Sequence, residues 1–176
     1  HKYTFAENDT QSVVIDLGFA INWDKVTASK ISIIDKSTIS GFRHSTGWAK
    51  NQKVFFVAQF SKSIEKYELL NDGAYKNNIT VAEGEKVFAQ LFFNSENTNE
   101  LLVKVAVSSV SEANALENLS KEAIDFEAVK NEAAETWNNN LSNITVETDN
   151  EDLKTTFYTA LYHTQVAPVT FSDVNS

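Results

Sequence analysis

The sequence predicts a mainly β protein, in which an antiparallel β-sandwich is followed by α-helices. Short β-rich segments separated by polar turns recur through residues 1–110, which is the pattern of a sandwich. No helical segment lies between them, which favours antiparallel pairing over alternating β-α units. From Ser111 onwards the apolar residues follow a helical period instead. The apolar content of 42% is sufficient for a packed core.

The β-rich part contains seven predicted strands. The segment 53–61 is apolar on both faces, which predicts a central strand between two layers. The segment 66–73 ends in Asn-Asp-Gly, which is a turn signal. A polar loop, 95–99, joins the last two strands. The predicted strands cover residues 12–19, 25–34, 37–49, 53–61, 66–73, 86–94 and 100–110.

Three helices are predicted in the remainder of the chain. A short helix over 111–119 begins with Ser111 as its cap, and a longer helix covers 121–141. Five residues of the longer helix form one apolar stripe at helical spacing, namely Phe126, Val129, Ala133, Trp137 and Leu141.

The third helix is predicted to follow a brief extended segment, 143–148. Thr148 and Glu151 have the spacing of a capping box at its start, and Pro168 lies just beyond its end. Its predicted buried face consists of Leu153, Phe157, Ala160, Leu161 and Thr164.

Charge and composition exclude several classes of function. The net charge of -9 and the pI of about 4.8 argue against nucleic acid and anionic membranes as partners. The chain has no cysteine, which excludes disulfides, thiol catalysis and cysteine-ligated zinc. No apolar segment approaches the roughly 20 residues that span a bilayer. Neither a signal peptide nor an initiator Met is visible, so we expect the native N-terminus to lie elsewhere.

The segment 41–50 is the first candidate site. Trp48 could stack on the face of a sugar ring while Arg43 donates to its hydroxyl groups, with His44 beside them. The alternative is a structural strand, in which a glycine occupies a bulge and Trp48 packs in the sandwich core.

Two further candidates lie near the end of the chain. His163 could reach a cleft at the C-terminus of the third helix, although a packing or surface role is the alternative. Asp173 lies in the loop after that helix, and such loops often carry binding residues. The acidic run at 149–152 lacks the ligand ladder and glycine of a calcium loop, and a helix N-terminus explains it. No nucleophile elbow, phosphate loop or zinc-protease motif is present in the sequence.

Several separated segments together resemble the bacterial alpha-mannosidases of glycoside hydrolase family 92. The resemblance covers nearly the whole chain in the same order, and its strongest parts are Trp137-Asn138-x-x-Leu141 and residues 157–163. The segments are "GFRHSTGWA", "VFFVAQFSK", "TWNNNLSNITVET", "DLKTTFYTALYHTQVAP" and "FSDVNS".

The resemblance implies an enzyme built from an N-terminal β-sandwich, helical linkers and an (α/α)6 catalytic barrel. It implies exo-acting, inverting, calcium-dependent hydrolysis of alpha-mannosidic linkages in mannose-containing glycans, with alpha-1,2 the linkage most expected. N-glycan degradation in the periplasm or at the surface of a bacterium is the expected setting. The implied division is 1–110 for the later sandwich strands, 111–147 for the linker and 148–176 for the start of the catalytic domain.

By the same resemblance, the catalytic carboxylates and the calcium ligands belong to segments that follow this one. We therefore expect a non-catalytic fragment that binds no calcium itself and whose main partner is the rest of the parent chain. Trp48, His163 and Asp173 are the candidate substrate-binding residues. The alternatives are a free-standing carbohydrate-binding module and a structural surface domain. Uncovered apolar faces on the last two helices would favour the fragment.

Overall fold

The computed structural model describes residues 1–7, 9–76, 78–94, 98–122 and 125–175. The chain divides into two compact units, His1–Glu122 with Asp173–Ser176, and Ala123–Ser172. Parts of three predicted segments lie outside the described residues. They are 95–97 of the polar loop, 123–124 of the second predicted helix, and the last residue of "FSDVNS".

The first unit contains two antiparallel sheets that pack face to face. One has the order β1-β10-β5-β4-β3-β8 and the other β2-β9-β6-β7. This arrangement confirms the predicted antiparallel β-sandwich. The strands are β1 (Lys2–Thr4), β2 (Gln11–Asp16), β3 (Lys25–Ile33), β4 (Thr38–Thr46), β5 (Gln52–Phe60), β6 (Ile64–Asn71), β7 (Ala74–Lys76), β8 (Val81–Gly84), β9 (Val87–Phe93) and β10 (Glu100–Ser108).

The core lies between the sheets and follows the alternation of side chains along each strand. On β9, the inward residues Val87, Ala89, Leu91 and Phe93 are buried, while the residues between them are half-buried. The larger fully buried side chains come from both sheets, namely Ile31, Ile39, Leu69, Leu91, Leu101, Val57 and Val87.

The predicted central position of β5 is confirmed. The strand pairs with β10 on one side and with β4 on the other. Ala58 and Phe60 belong to the core between the sheets. Val57, on the opposite face, packs with Ala115 and Leu119 of the first helix. The strand is apolar on both faces because it lies between a second sheet and a helix.

Two strand predictions differ from the structure. Strands β1, β7 and β8 are absent from the predicted set, since three or four residues carry too little alternation. The hairpin that joins β6 to β7 is formed by Asp72 and Gly73, whose φ values of 48° and 84° belong to a tight hairpin turn. The alternative interpretation of the segment 41–50, with a glycine at a bulge, is wrong on that point, because the irregular register lies in β3, between Val26 and Ala28.

The first helix, α1 (Glu112–Lys121), is confirmed together with its cap. The Ser111 hydroxyl accepts from the Asn114 amide at 3.1 Å. The second helix, α2 (Phe126–Leu141), begins later than predicted, because Lys121 belongs to the last turn of α1.

The third helix, α3 (Glu151–Gln165), is capped by Asn150 instead of Thr148. The Asn150 side chain accepts from the Leu153 amide at 3.0 Å, while Thr148 accepts from the Asn150 amide. The predicted capping box is therefore wrong. The segment 143–148 forms no strand.

The second unit consists of α2 and α3, and both helices are described along their whole length. Neither helix contains a buried residue. Val129 is 44% exposed and Leu153 is 58% exposed, while Phe157 and Leu161 are half-buried. The face predicted to be buried on the third helix is therefore wrong for this chain, because none of the residues of α3 is buried among the described residues. In the described residues, no helix has the length and apolarity to cross a membrane.

Candidate functional site

A recess opens at one end of the first unit. It is formed by the loop between β2 and β3 together with the ends of β4 and β5, and its volume is about 410 Å³. The candidate segment 41–50 contributes two residues to it, Arg43 and Trp48, but not His44. The lining residues are Phe19, Ile21, Asn22, Trp23, Asp24, Arg43, Trp48 and Gln52. We call this feature the aromatic recess.

Arg43 fixes the loop that forms one wall of the recess. Its Nε atom donates to the carbonyl of Leu17 at 3.2 Å, and Nη2 donates to the carbonyl of Phe19 at 3.1 Å. Nη2 also forms an ion pair with the Asp24 carboxylate. The hydrogen bond from Arg43, followed by one from Ser45, lowers the pKa of Asp24 below its usual value. The recess therefore holds a paired, ionised carboxylate beside a guanidinium.

Two tryptophans stand beside this ion pair. The ring centroids of Trp23 and Trp48 are 5.8 Å apart, and the rings are tilted by 57°. Trp48 is 91% exposed and Trp23 is 62% exposed. The interpretation of Trp48 as a core residue is therefore wrong. The residue follows Thr46, the last residue of β4, and lies in the loop that leads to β5.

His44 faces away from the recess and packs against aromatic residues. Its ring stacks on Phe42 at 4.5 Å and meets the edge of Phe55 at 5.7 Å. Its buried Nε2 atom has no hydrogen-bond partner among the described residues. Burial and, to a smaller extent, the charge of Lys53 lower the pKa of His44. The side chain is a neutral packing element in this structure.

Asp173 connects the end of the described chain to α1 and β10. Its carboxylate accepts hydrogen bonds from Ser108, Asn114 and Asn118, each at 2.8 Å. These bonds, with that of Asn118 the strongest, lower the pKa of Asp173. Sequence reasoning missed the two asparagines, although they lie one helical turn apart on the same face of α1.

His163 lies in the last turn of α3, in the second unit, and is exposed. Its ring centroid is 5.7 Å from that of Tyr162. The lining of the aromatic recess includes neither His163 nor Asp173. Sequence reasoning also missed Trp23 and Asp24, whose signal was an aromatic-acidic pair in the loop before β3.

Acidic and histidine side chains do not form a metal-binding cluster in the described residues. Across 1–7, 9–76, 78–94, 98–122 and 125–175, no three His, Asp or Glu side chains come together to hold a metal ion. The carboxylates in the first turn of α3, Glu151 and Asp152, take the place that a helix dipole favours.

Comparison with protein families gives two matches in sequence order. The model of the glycosyl hydrolase family 92 N-terminal domain matches residues 1–108. The model of the glycosyl hydrolase family 92 catalytic domain matches residues 114–176. No curated protein sequence matches the chain.

Solved structures of the same family are similar over almost the whole chain. A family 92 alpha-mannosidase from Bacteroides thetaiotaomicron is 27% identical with a TM-score of 0.89, over 98% of this chain and 24% of its own length. In its complex with mannoimidazole the TM-score is 0.88 at the same identity and coverage. A family 92 inverting mannosidase from Bacteroides thetaiotaomicron VPI-5482 is 26% identical with a TM-score of 0.80, over 95% of this chain and 22% of its own. The chain thus spans about a quarter of the length of the structures that it matches.

Proposed function

Because the chain belongs to glycosyl hydrolase family 92, we propose that its parent protein is an alpha-mannosidase acting on mannose-containing glycans. The chain would supply the later strands of the sandwich (1–110), a helical linker (111–147) and the start of an (α/α)6 catalytic domain (148–176). The observation that carries this proposal is the ordered match to both family models, at 1–108 and 114–176. The similarity to two alpha-mannosidases of the family supports it.

The proposed reaction is exo-acting hydrolysis with inversion, with alpha-1,2 linkages preferred. One similar structure is that of an inverting mannosidase. Inversion uses a carboxylic acid that protonates the leaving oxygen and a carboxylate that activates water on the opposite face of the ring. The two groups stand about 6.5–9.5 Å apart. We assign neither group to this chain, and we assign the calcium ligands to the remainder of the parent protein.

The contribution of this chain is therefore substrate binding and support. His163, on an exposed helix turn, and Trp48 remain the proposed contacts to the glycan. Asp173 is proposed with them, and its three bonds to Ser108, Asn114 and Asn118 also give it a structural role.

The uncovered apolar residues of α2 and α3 favour this proposal over a free-standing carbohydrate-binding module or a structural surface domain. An amphipathic helix gains most of its stability by burying its apolar face. Neither helix buries a residue within this chain, although both are described completely. In the proposed parent, further helices of the catalytic domain cover these faces. The proposed location is the periplasm or the surface of a bacterium.

The proposal is tested by comparing the chain with the parent-length protein. The parent should release mannose from alpha-linked mannobiose, alpha-1,2 fastest, and proton NMR should show the β-anomer forming first. Chelation with EGTA should abolish the activity and added calcium should restore it. The 176-residue chain should release none. A parent that cleaves another glycoside but no mannoside would contradict the substrate, and turnover by the chain alone would contradict the assignment of the carboxylates.

A further inference from the structure

We infer that the aromatic recess binds a pyranose ring, with Trp23 and Trp48 as its stacking surface and Arg43 and Asp24 as its polar contacts. That the ring is a mannose residue of a glycan rests on the proposed function. Of these four residues, the sequence indicated only Trp48 and Arg43 as candidates, and the fold places Trp23 and Asp24 beside them.

The tryptophans provide the apolar half of the site. One face of a pyranose ring presents C–H groups that pack on an aromatic surface, while the polar groups lie at its edge. Trp48 is almost fully exposed, and Trp23 is exposed over more than half of its surface. Two large aromatic side chains exposed beside each other are unusual unless they bind something. Because the two indole rings are tilted by 57°, a pyranose ring can lie flat on one indole and touch the other indole with its edge.

Arg43 and Asp24 provide the polar half. The Nε and Nη2 groups of Arg43 donate to Leu17, Phe19 and Asp24. Arginine carries five N–H groups in a fixed fork. The bonds of Arg43 use only Nε and Nη2, and its Nη1 group has no partner among the described residues. The lowered pKa of Asp24 keeps its carboxylate as an acceptor. A donor and an acceptor side by side match two neighbouring sugar hydroxyls, each of which can accept or donate.

The geometry of the recess is held before a ligand arrives. The bonds from Arg43 to the carbonyls of Leu17 and Phe19 tie the loop to β4. Asn22, with a φ of 56°, makes the left-handed turn that places Trp23 next to Trp48. A preformed site loses less entropy on binding than a flexible one. A volume of about 410 Å³ is within the range of small-molecule sites.

The experiment uses the small number of tryptophans. The chain has three, Trp23, Trp48 and Trp137, so Trp137→Phe leaves only the two of the recess as indole fluorophores. Methyl α-D-mannopyranoside is titrated into this variant, with mannitol as the probe that has hydroxyls but no ring. We expect a saturable change of emission with the mannoside and none with mannitol.

Two variants in the same background assign the signal. Trp48→Ala should raise the dissociation constant about tenfold or more. Trp48→Ala leaves the fold intact because the side chain is exposed, which circular dichroism checks. The matched control is Tyr75→Ala, which removes another exposed aromatic side chain in the second sheet, and it should leave the affinity unchanged.

The inference is overturned if the mannoside gives no saturable change, or if mannitol or the Trp48→Ala variant gives the same change. It is also overturned if Trp23 and Trp48 resist hydroxyl-radical footprinting, read residue by residue by mass spectrometry, in the parent-length protein, because the recess is then covered by the parent's own polypeptide. A parent that hydrolyses mannosides while the recess binds no sugar overturns this inference alone. A recess that binds the mannoside in a parent without mannosidase activity supports this inference and overturns the proposed function alone.

Discussion

Asp173 accepts a hydrogen bond from Asn118 at 2.8 Å, although 55 residues separate them in the sequence. The side-chain oxygen of Asn118 in turn accepts from the backbone amide of Val174 at 2.9 Å. Asn118 thus binds two consecutive residues of the segment 173–175, one with its donor and one with its acceptor. Since Asn114 and Ser108 donate to the same carboxylate, side chains hold this segment on α1.

Asp173→Asn should release the segment from α1. The new amide presents an NH2 group where the carboxylate accepted from Asn114 and Asn118, so at least one donor faces another donor. Hydrogen exchange at the Val174 amide should become about tenfold faster or more, because its opening no longer breaks charge-assisted bonds. Hydrogen exchange followed by NMR measures this directly.

The control for that substitution is Asp149→Asn, which removes an equal charge at an exposed position of the second unit. It should leave the exchange of Val174 unchanged. Equal exchange rates for Val174 in Asp173→Asn and in the unsubstituted chain would show that the carboxylate does not hold the segment.

His44 should make the stability of the chain sensitive to mild acid. Its folded-state pKa is lowered, first by burial and then by Lys53, from an ordinary value of 6.5. Below about pH 6.5, His44 therefore binds more protons in the unfolded chain than in the folded one. The stability that neutral His44 contributes is complete above about pH 6.5 and is lost as the pH falls towards the folded-state pKa. The urea midpoint should therefore be lower at about pH 5.5 than at about pH 7.5.

His44→Phe should reduce this loss of stability in acid. Phenylalanine keeps an aromatic ring against Phe42 and Phe55 and removes a buried nitrogen that has no partner among the described residues. The variant should be at least as stable at neutral pH. His163→Phe, at an exposed position of α3, is the matched control and should keep the acid sensitivity. An equal acid loss in His44→Phe would remove His44 as its source.

Gly41 should not tolerate even a methyl group. A Cβ atom at this position of β4 would overlap the backbone carbonyl oxygen of Lys30 and lie 2.8 Å from the ring of Phe56. Backbone cannot rotate away as a side chain can, so Gly41→Ala should cost about 3 kcal/mol or more of the free energy of unfolding. Urea denaturation measures the loss.

Gly47→Ala is the control for that substitution. The nearest atom to its added Cβ is the Cα of Asp24 at 3.4 Å, an ordinary contact distance. The change should therefore cost less than about 1 kcal/mol. If Gly41→Ala lost no more stability than Gly47→Ala, strand β3 would have to move to accommodate the added methyl group.

The sandwich could be predicted from the sequence because its information is local. The alternation of buried and half-buried residues along β9 is visible in the sequence itself, and the apolar faces of β5 indicated two neighbouring layers. Short elements such as β7 carry too few residues to show a period. The cap of α3 was misjudged because two polar residues, Thr148 and Asn150, compete at the same helix start, and spacing alone does not decide between them.

The candidate site was less predictable because it depends on which strands become neighbours. Arg43 and Trp48 could be predicted as candidates because they lie in one segment, 41–50, but Trp23 and Asp24 lie about 20 residues earlier. The pairing of β3 with β4 brings the four residues together. Asp173 shows the same limit, since Ser108, Asn114 and Asn118, which donate to it, belong to β10 and α1. Residue types indicate what a side chain can do, whereas the register of the sheet decides what lies beside it.

The exposed apolar residues of α2 and α3 should make the chain self-associate. Val129 and Leu153 lie on the predicted stripes and are exposed within this chain, so contact between copies is the available way to remove them from water. Val129→Glu combined with Leu153→Glu should weaken self-association about tenfold or more. Helix content should be retained, because neither side chain is buried and Leu153 lies in the first turn of α3, where a carboxylate is favoured. Light scattering over a concentration series measures the effect.

The control is Asn131→Glu with Thr155→Glu, which adds the same charge at exposed polar positions of the two helices and should leave the association unchanged. A monodisperse monomer in the unsubstituted chain, or equal suppression by the control pair, would show that these apolar faces do not drive association.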